Sequence, residues 1–268
     1  MNSASDIVLV ERRNAVLWLT INRPDRRNAL NGVVFDALLQ ALSSADSDPS
    51  IRVAVLTGAG EKAFSAGADL KPDTQYTALT LDEAALEHPY VQFARGVRKF
   101  SKPLIARVNG DALAGGLGVL SLCDMAVAAD HARFGLPEVK IGLFPLLIVA
   151  SLRRLIPRRI LMEMAITGEF FDVSAAKEMG LLNHVVPANA LDAKVQWLVD
   201  RILDKSPTSV RRGKVALCRM WEMTEDDSLA HGQSELALLF ATADHKEGLA
   251  AFNEKRLPDW PSLLGTDE

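Results

Sequence analysis

The chain has 268 residues, of which 49% are hydrophobic and 24% are charged, and its formal net charge is −4. This composition is ordinary for a globular protein with a sizeable core, and the length suits one large domain or a domain with an appendage. The small negative charge excludes a whole-chain bias toward nucleic acid or a membrane surface.

The sequence carries no sign of secretion or of membrane insertion. No apolar run reaches the ~18 residues that span a bilayer, and the first residues lack the charged-then-apolar pattern of a signal peptide. The two cysteines, Cys123 and Cys218, lie in apolar, helix-like contexts. We therefore expect reduced core cysteines in a cytoplasmic protein that uses no membrane and no nucleic acid.

The first elements of the chain are a strand, a basic turn and a helix. Residues 15–22 are apolar enough for a strand that is buried on both faces, and a turn-rich loop at 22–28 follows it. Asn28 or Asn31 can cap a helix that runs to about Ala45, because leucines recur there at helical spacing.

Two further buried strands are predicted in the middle of the chain, at 51–58 and 103–108. The polar segment 71–81 between them is either a mobile segment over a pocket or an ordinary surface loop. A helical pattern then covers 81–100. Pro89 interrupts or kinks this helix, because proline lacks a backbone donor and clashes with the preceding turn.

The later elements alternate at first and then become helical throughout. A short helix at 115–122 and a strand at 125–129 precede an extended piece at 132–138, which ends in a Pro-Glu helix start. The remaining pattern predicts helices at 146–156, 158–166 and 174–180, a short strand at 184–186, and helical periodicity alone over 191–254. Strand–strand–helix units followed by helices predict a stacked α/β core with a helical C-terminal appendage.

Two loops rich in small residues follow the second and third strands, at 64–70 and 109–118. A ligand can approach the backbone N–H groups of such loops because little Cβ bulk obstructs it. One amide from each loop can therefore converge on one anionic oxygen. Asp69, near the end of the first loop, is placed to cap a helix or to lie in its first turn.

Several catalytic interpretations of these loops fail on spacing. The glycines at 115–118 match neither a dinucleotide fingerprint nor a P-loop, and a tight helix–strand packing site remains the alternative. Ser65 is not surrounded by a G-x-S-x-G elbow, and His88 before Pro89 is more typical of a capping or surface histidine. The other histidines have no metal-ligand spacing, so no metal site is predicted.

Glu138 is an acid in a strongly apolar local setting, between Phe134-Gly135-Leu136-Pro137 and Val139. One interpretation is a first-turn glutamate that favours the helix dipole, which is worth roughly 0.3–1 kcal/mol. The other is a carboxylate whose pKa is raised by burial toward the range of proton transfer. The local sequence does not separate the two.

Clusters of basic residues recur in the second half of the chain. They are typical of solvated faces or subunit contacts, and a phosphate-rich ligand is an alternative partner for one of them. The candidates are Arg153, Arg154, Arg158 and Arg159, then Lys205, Arg211, Arg212 and Lys214, and near the N-terminus Arg26 and Arg27.

Taken together, the motifs of this chain resemble the crotonase superfamily, the enoyl-CoA hydratase/isomerase family. They are highly specific in this order and at these spacings, and they extend from about Val8 to Pro261. The motifs are Ile21-Asn22-Arg23-Pro24, Asn28-Ala29-Leu30-Asn31, Phe64-Ser65-Ala66-Gly67-Ala68-Asp69, Lys102-Pro103, Asn109-Gly110, Gly115-Gly116, Cys123-Asp124 and Phe134-Gly135-Leu136-Pro137-Glu138.

The resemblance implies an α/β fold of the crotonase type, a right-handed spiral of β-β-α units. Residues 1–195 would form the spiral core with an acyl-CoA site, and residues 196–268 a helical C-terminal region for oligomerisation. A homotrimer, or a hexamer of two trimers, is the implied assembly. The ligand would be a coenzyme A thioester that serves as substrate, and no further cofactor is required.

The resemblance also implies site residues. The backbone N–H groups of Ala68 and Gly115 match the family's oxyanion hole for the thioester carbonyl, and Glu138 matches a catalytic glutamate. Ala66 would meet the adenine ring. The other implied contacts with coenzyme A are Arg27, Ala29, Asp69, Leu70, Leu113, Gly116 and Pro137, with Phe252 and Lys255 closing the groove, in some members on a neighbouring subunit.

The chain departs from the family pattern at three places. Hydratases of this family use two glutamates, and the position of the second one is Gly118 here. Asp111 replaces the usual tyrosine or proline before the glycine pair. The residues 146–149 replace a small, glycine-rich run, which would narrow or reshape the acyl pocket.

These departures leave several functions open. Isomerisation of an enoyl-CoA needs one carboxylate, so Glu138 alone suffices for it. Hydration needs help from water or from another group such as Asp111, and Gly118 makes it harder. Decarboxylation and C–C cleavage through the same thioester enolate remain alternatives, as does an inactive acyl-CoA-binding homologue.

Overall fold

The computed structural model describes residues 7–70 and 87–264. Within these ranges no helix is both long and apolar enough to cross a membrane. The strands are β1 (Val8–Arg13), β2 (Val16–Ile21), β3 (Val53–Gly58), β4 (Ala63–Ser65), β5 (Leu104–Val108), β6 (Asp111–Leu113), β7 (Met125–Ala129), β8 (Phe134–Gly135), β9 (Phe170–Phe171) and β10 (His184–Val186).

The helices of the same residues are mostly in the second half of the chain. They are α1 (Gly32–Ser47), α2 (Pro89–Lys99), α3 (Gly115–Ser121), α4 (Leu146–Leu152), α5 (Arg158–Thr167), α6 (Val173–Glu178), α7 (Leu191–Leu203), α8 (Pro207–Met220), α9 (Glu225–Phe240) and α10 (Ala243–Glu254). Short 3-10 helices cover Pro24–Arg26, Pro137–Ile141, Ala188–Ala190 and Pro261–Leu264.

The strands form two sheets. The larger has six strands in the order β1-β2-β3-β5-β7-β10, and the smaller has the order β4-β6-β8-β9. In the larger sheet β1 runs antiparallel to β2, and the other pairs are parallel. Every residue of β3 is buried, which is the pattern expected for a parallel strand covered on both faces.

Helix starts follow from local side chains. Asn31 caps α1, because its Oδ1 accepts a hydrogen bond of 3.1 Å from the Val34 N–H. Pro89 is the first residue of α2, and His88 caps that helix through Nδ1. The expected interruption at Pro89 is therefore the start of the helix. The predicted helical stretch before residue 87 and the segment 71–81 lie outside the described residues.

Helix α7 covers one face of the large sheet. Its buried residues Val195, Leu198 and Val199 pack against side chains of the central strands, while helices α1 and α2 contribute to the main core on the other side. The expected domain boundary between residues 195 and 196 falls inside α7. Residues on both sides of it contact the sheet, so the helices that follow the sheet begin with α8.

Two buried asparagines fix the turn between β3 and β4. The Asn109 side chain accepts from the Gly58 N–H at 3.0 Å and donates to the Gly60 carbonyl at 2.7 Å. Asn28 donates to the Ala63 carbonyl at 2.7 Å. Backbone groups of the turn are thereby paired, and the start of β4 is held in place.

We expect Asn109→Ala to lower the free energy of unfolding by about 3 kcal/mol, because it leaves buried backbone groups of the turn without partners. Urea unfolding measures this change. The matched control is Asn253→Ala on the exposed face of α10, which should change stability by less than about 0.5 kcal/mol. Equal effects of the two substitutions would contradict the role given to Asn109.

Candidate functional site

Three adjacent parallel strands of the small sheet end at one edge. β4 pairs with β6 and β6 pairs with β8, all in parallel. Ala68, Gly115 and Glu138 each lie two or three residues beyond the end of one of these strands. Ligands bind beyond the carboxyl ends of parallel strands in open α/β sheets, so the topology alone brings these three residues to one place.

The two loops of small residues meet there. A Cβ added to Gly115 would lie 3.6 Å from the Ala68 nitrogen, and one added to Gly67 would lie 2.6 Å from Ala114 Cβ. Ala114 has φ +50°, a value that turns the chain sharply into α3. Within the described ranges, neither the Ala68 nor the Gly115 N–H donates a hydrogen bond. Two backbone donors are therefore left side by side and unpaired.

The first of these loops is fixed by backbone hydrogen bonds to the segment after β2. The Ala66 N–H donates to Arg27 O at 2.9 Å, and the Leu30 N–H donates to Gly67 O at 2.7 Å. Arg27 and Asn28 both have positive φ, +49° and +56°. This conformation is uncommon outside glycine, and it curls the segment against the loop.

The Asp69 carboxylate anchors the same loop. It is buried and pairs with Arg23 at 2.5 Å and with Arg26 at 3.0 Å. The helix that Asp69 was expected to start lies beyond residue 70, outside the described residues. Arg26 thus helps to hold the loop, while its side chain stays 33% exposed. A phosphate group as its partner stays a prediction.

Glu138 stands on the 3-10 helix that follows β8. Both of its carboxylate oxygens are buried, and neither accepts a hydrogen bond from another residue. Burial raises the pKa of Glu138 above its ordinary value of 4.5, and its own backbone N–H offsets this only in part. A buried carboxyl without a partner is costly for stability, and such groups concentrate at functional sites. Glu138 lies in the first turn of this 3-10 helix, as the first interpretation expects, and burial raises its pKa, as the second expects. Its role as an acid or base stays a prediction.

Gly118, the position of the family's second glutamate, is covered by other side chains. A Cβ there would lie 2.9 Å from Tyr90 Oη and 3.2 Å from Ile148 Cγ1. Ile148 belongs to the segment 146–149 and lies next to Gly118. The effect of this segment on an acyl pocket stays a prediction. Tyr90 was not predicted, because it reaches Gly118 from a separate helix.

Asp111 is not a second acid beside Glu138. It lies at the start of β6, whereas Gly115 lies beyond the end of that strand. Its carboxylate accepts hydrogen bonds from the Arg133 N–H at 3.0 Å and guanidinium at 2.7 Å. The place of Asp111 at the start of β6 and its ion pair with Arg133 argue against its role as a helper in hydration.

Three residues around these loops have a packing role. A Cβ on Gly116 would lie 2.2 Å from Ser65 O, so this glycine allows α3 to pack against β4. Ser65 is fully buried and accepts a hydrogen bond from the Gly67 N–H at 3.2 Å. Leu113 is also buried. These three residues support the two loops of small residues, and the expected contacts of Leu113 and Gly116 with coenzyme A stay predictions.

Other residues expected to contact coenzyme A are more accessible. Leu70 is 54% exposed, and Ala66 and Pro137 are partly exposed beside the loops. Phe252, at 81% exposed, and Lys255 lie at the end of α10 among the C-terminal helices. Ala29 is buried behind the loop. The contacts of these residues with coenzyme A stay predictions.

The basic clusters of the second half are largely paired with acids or with carbonyl groups. Arg154 pairs with Glu222, Arg212 with Glu235 and Lys214 with Asp124. Arg211 reaches Ser101 Oγ at 3.3 Å. Residues 7–70 and 87–264 contain no group of three or more His, Cys, Asp or Glu that could hold a metal ion.

Comparison with known proteins shows the family. The sequence profile described as enoyl-CoA hydratase/isomerase matches residues 11–262. The chain belongs to the enoyl-CoA hydratase/isomerase family. Among its relatives is the 2,3-dehydroadipyl-CoA hydratase of Escherichia coli, which is 36% identical over 94% of this chain and 98% of the relative. The (E)-benzylidenesuccinyl-CoA hydratase of Thauera aromatica is also 36% identical, over 94% of this chain and 97% of the relative.

Solved structures of the family have the same fold. An enoyl-CoA hydratase from Mycobacterium smegmatis superimposes with a TM-score of 0.88 at 34% identity, covering 95% of this chain and 99% of that one. An enoyl-CoA hydratase from Bacillus anthracis gives a TM-score of 0.88 at 31% identity, covering 96% and 99%. The expected crotonase fold, with its helical C-terminal region, is confirmed. The protein is an enzyme of the hydratase/isomerase family.

We expect Gly67→Ala to lower the kcat of this family enzyme by at least about 10²-fold. The added methyl would contact Ala114 and force the Ala68 and Gly115 amides apart, and loss of one oxyanion donor has an effect of about this size. The measurement is turnover of an acyl-CoA substrate under saturating conditions.

Gly180→Ala is the matched control, because Gly180 has a similar φ of +88° but its added Cβ makes only an ordinary contact with Leu155 O at 3.4 Å. It should share the backbone strain without the loss of kcat. If both variants lose kcat equally, the effect comes from folding and not from the paired amides.

Proposed function

We propose that this enzyme isomerises the double bond of an enoyl-CoA thioester, with Glu138 as the acid and base. The observation that carries the proposal is the buried, unpartnered Glu138 carboxyl beyond the end of β8, beside the strand ends that present the unpaired Ala68 and Gly115 amides. Gly118 supplies no second acid, and isomerisation needs none.

The reaction follows from moving one proton. The Glu138 carboxylate removes a proton from C2 of a 3-enoyl-CoA, and the electron pair of the C2–H bond moves into a dienolate. Its negative charge gathers on the thioester oxygen, which the Ala68 and Gly115 N–H groups stabilise. Protonated Glu138 then returns the proton to C4, and the double bond settles between C2 and C3.

Burial suits Glu138 to both halves of this cycle. A carboxyl with a raised pKa is a stronger base when ionised, and it holds the proton long enough to deliver it to C4. The C2 proton of a thioester is only weakly acidic. The fixed amide donors therefore supply the stabilisation that water would otherwise have to provide.

Binding of the coenzyme A portion is assigned by resemblance to the loop residues Arg27, Ala66 and Leu70. Assembly into a trimer or hexamer is part of the same proposal. The C-terminal helices expose large apolar side chains, namely Leu229, Leu236, Phe240, Leu249 and Phe252, and such surface is typical of protein–protein contacts. A cytoplasmic location and a role in fatty acid metabolism complete the proposal.

Hydration of an enoyl-CoA is the second candidate, and the names of the relatives favour it. Both curated relatives described above are hydratases that act on different acyl groups. Here Glu138 would have to direct the water alone. Decarboxylation or C–C cleavage of an acyl-CoA, and simple binding without turnover, are the further outcomes to be distinguished.

Incubation with a 3-enoyl-CoA and a 2-enoyl-CoA separates these functions. We expect the conjugated-thioester absorbance to appear with the 3-enoyl substrate, and to persist with the 2-enoyl substrate in water. Loss of absorbance from the 2-enoyl substrate alone would replace isomerisation with hydration. No change with either, in protein that binds coenzyme A in a calorimeter, would indicate a different enolate reaction or a binding protein.

We expect Glu138→Gln to reduce kcat at least about 10²-fold, since general acid–base catalysis contributes this much or more. Binding of coenzyme A should be retained, because the amide keeps the size of the side chain. The control Glu169→Gln removes a nearby exposed carboxyl that pairs with Lys140 and should leave kcat unchanged. Full activity of Glu138→Gln would remove Glu138 from the mechanism.

The raised pKa of Glu138 also makes stability depend on pH. Between 4.5 and the higher folded-state pKa, the folded protein binds more protons than the unfolded chain, so its stability falls as pH rises through that window. Glu138→Gln removes this contribution. The stability of the variant relative to wild type should therefore increase with pH across the window and level off above it, as urea unfolding at several pH values will measure.

A further inference from the structure

Tyr90 is the side chain that occupies the space beside Gly118. It is buried on α2, with its ring edge against Phe35 at a centroid distance of 6.0 Å. Aromatic packing of this kind fixes the ring orientation. The phenol is therefore a rigid feature of the protein and not a side chain that swings in from solvent.

A side chain at position 118 and the Tyr90 ring exclude each other. A Cβ on Gly118 would lie 2.9 Å from Tyr90 Oη and 3.0 Å from Tyr90 Cε2, closer than ordinary van der Waals contact. Gly118 lies three residues after Gly115 on α3, hence on the same face of that helix. The phenol oxygen thus stands one helical turn from the amide that is proposed to hold the thioester oxygen.

Three hydroxyl groups are linked at this point. Tyr90 Oη lies 3.2 Å from Ser151 Oγ, and Ser151 Oγ lies 2.7 Å from Ser121 Oγ. Ser121 Oγ also donates to Gly118 O at 2.7 Å. Each hydroxyl has one proton, so the chain can satisfy its members without any ionised group.

Burial keeps this hydroxyl chain neutral. It raises the pKa of Tyr90 above its ordinary value of 10.0, and the nearby Ser151 and Ser121 hydroxyl groups offset only part of this. A neutral phenol is a far weaker base than a carboxylate at neutral pH. The phenol beside Gly118 can therefore fill space and hydrogen-bond, but it cannot take a proton from water.

We propose that Tyr90 determines the reaction outcome of this enzyme, by occupying with a neutral phenol the place where a hydratase has its second carboxylate. The ring and Ile148 leave no room for an acid at position 118. Glu138 then has no partner to activate water for attack at C3, and proton transfer from C2 to C4 is the reaction that remains. The inference deepens the proposed isomerisation and rests on it.

The test exchanges the two groups. The variants are Gly118→Glu, Tyr90→Ala, and the double variant that carries both. Thermal unfolding midpoints show whether the two positions share one space. Rates with a 2-enoyl-CoA and a 3-enoyl-CoA give the ratio of hydration to isomerisation for each folded variant.

We expect each single substitution to lower the unfolding midpoint, and the double variant to be more stable than the sum of the two effects predicts. Its ratio of hydration to isomerisation should rise at least about 10-fold above wild type, about 1.4 kcal/mol in relative barrier height. Gly213→Glu on α8 is the control, because its added Cβ has no neighbour within 4 Å and it should show no coupling to Tyr90→Ala.

A second pair of variants separates the effect of the ring volume of Tyr90 from the effect of its hydroxyl group. Tyr90→Phe keeps the ring, so its ratio of hydration to isomerisation should stay near that of wild type. The double variant Tyr90→Phe with Gly118→Glu should have a lower unfolding midpoint than wild type, because the ring still meets the new side chain. Two results would overturn the role of Tyr90. One is that the shifts in unfolding midpoint simply add in the double variant Tyr90→Ala with Gly118→Glu, and the other is that this variant folds but keeps the wild-type ratio of hydration to isomerisation.

The two proposals fail in different ways. If the wild-type enzyme isomerises no 3-enoyl-CoA, the proposed function fails. The non-additivity of the unfolding midpoints and the hydration rate of the double variant then still test the role of Tyr90. If the wild type isomerises but the positions are uncoupled, only the inference about Tyr90 is lost.

Discussion

The structure depends on two backbone N–H groups that are held next to each other without partners. Ala68 and Gly115 are partly exposed, so N–H groups that the fold itself leaves unpaired are open to a ligand. Here Gly67 and Gly115 allow the approach, and a side chain on Gly67 would meet the facing loop. This closeness of the two loops is the basis for the proposal that both donors bind one oxygen.

Several interactions outside the site maintain this arrangement. The Asp69 carboxylate is buried between Arg23 and Arg26, and breaking such a pair typically costs about 3–5 kcal/mol. Asn28 and Asn109 pair the carbonyl groups of the neighbouring turn. Polar side chains thus hold the backbone of these loops in position. Among the buried carboxylates of the described residues, Glu138 is the one whose oxygens accept no hydrogen bond from another residue.

Much of this could be predicted from sequence, and the failures have physical causes. Long strands, the Asn31 cap and the loop residues Ala68 and Gly115 are specified by local pattern or by motif spacing. The sequence predicts loops for most of the small sheet, because strands of two or three residues are too short to show a periodic pattern. Its role is nonetheless central, since its strand ends bring Ala68, Gly115 and Glu138 together.

The contacts that sequence did not predict are those between distant segments. Nothing near Tyr90 indicates that it faces Gly118, 28 positions later, since that contact depends on how α2 packs against α3. The sequence left Asp111 as a candidate second acid because its partner, Arg133, is distant in sequence and lies just before the next strand, β8. The family motif gives the position of the missing glutamate, Gly118, but only the packing of α2 against α3 shows that Tyr90 lies beside it.

A crystal structure with an unreactive acyl-CoA thioester tests the central claim most directly. We predict that the thioester oxygen lies about 2.7–3.1 Å from the nitrogens of both Ala68 and Gly115, with the Glu138 carboxyl within hydrogen-bond reach of the carbon chain at C2. A thioester oxygen that contacts only one of these nitrogens, or a Glu138 carboxyl turned away into solvent, would contradict the account.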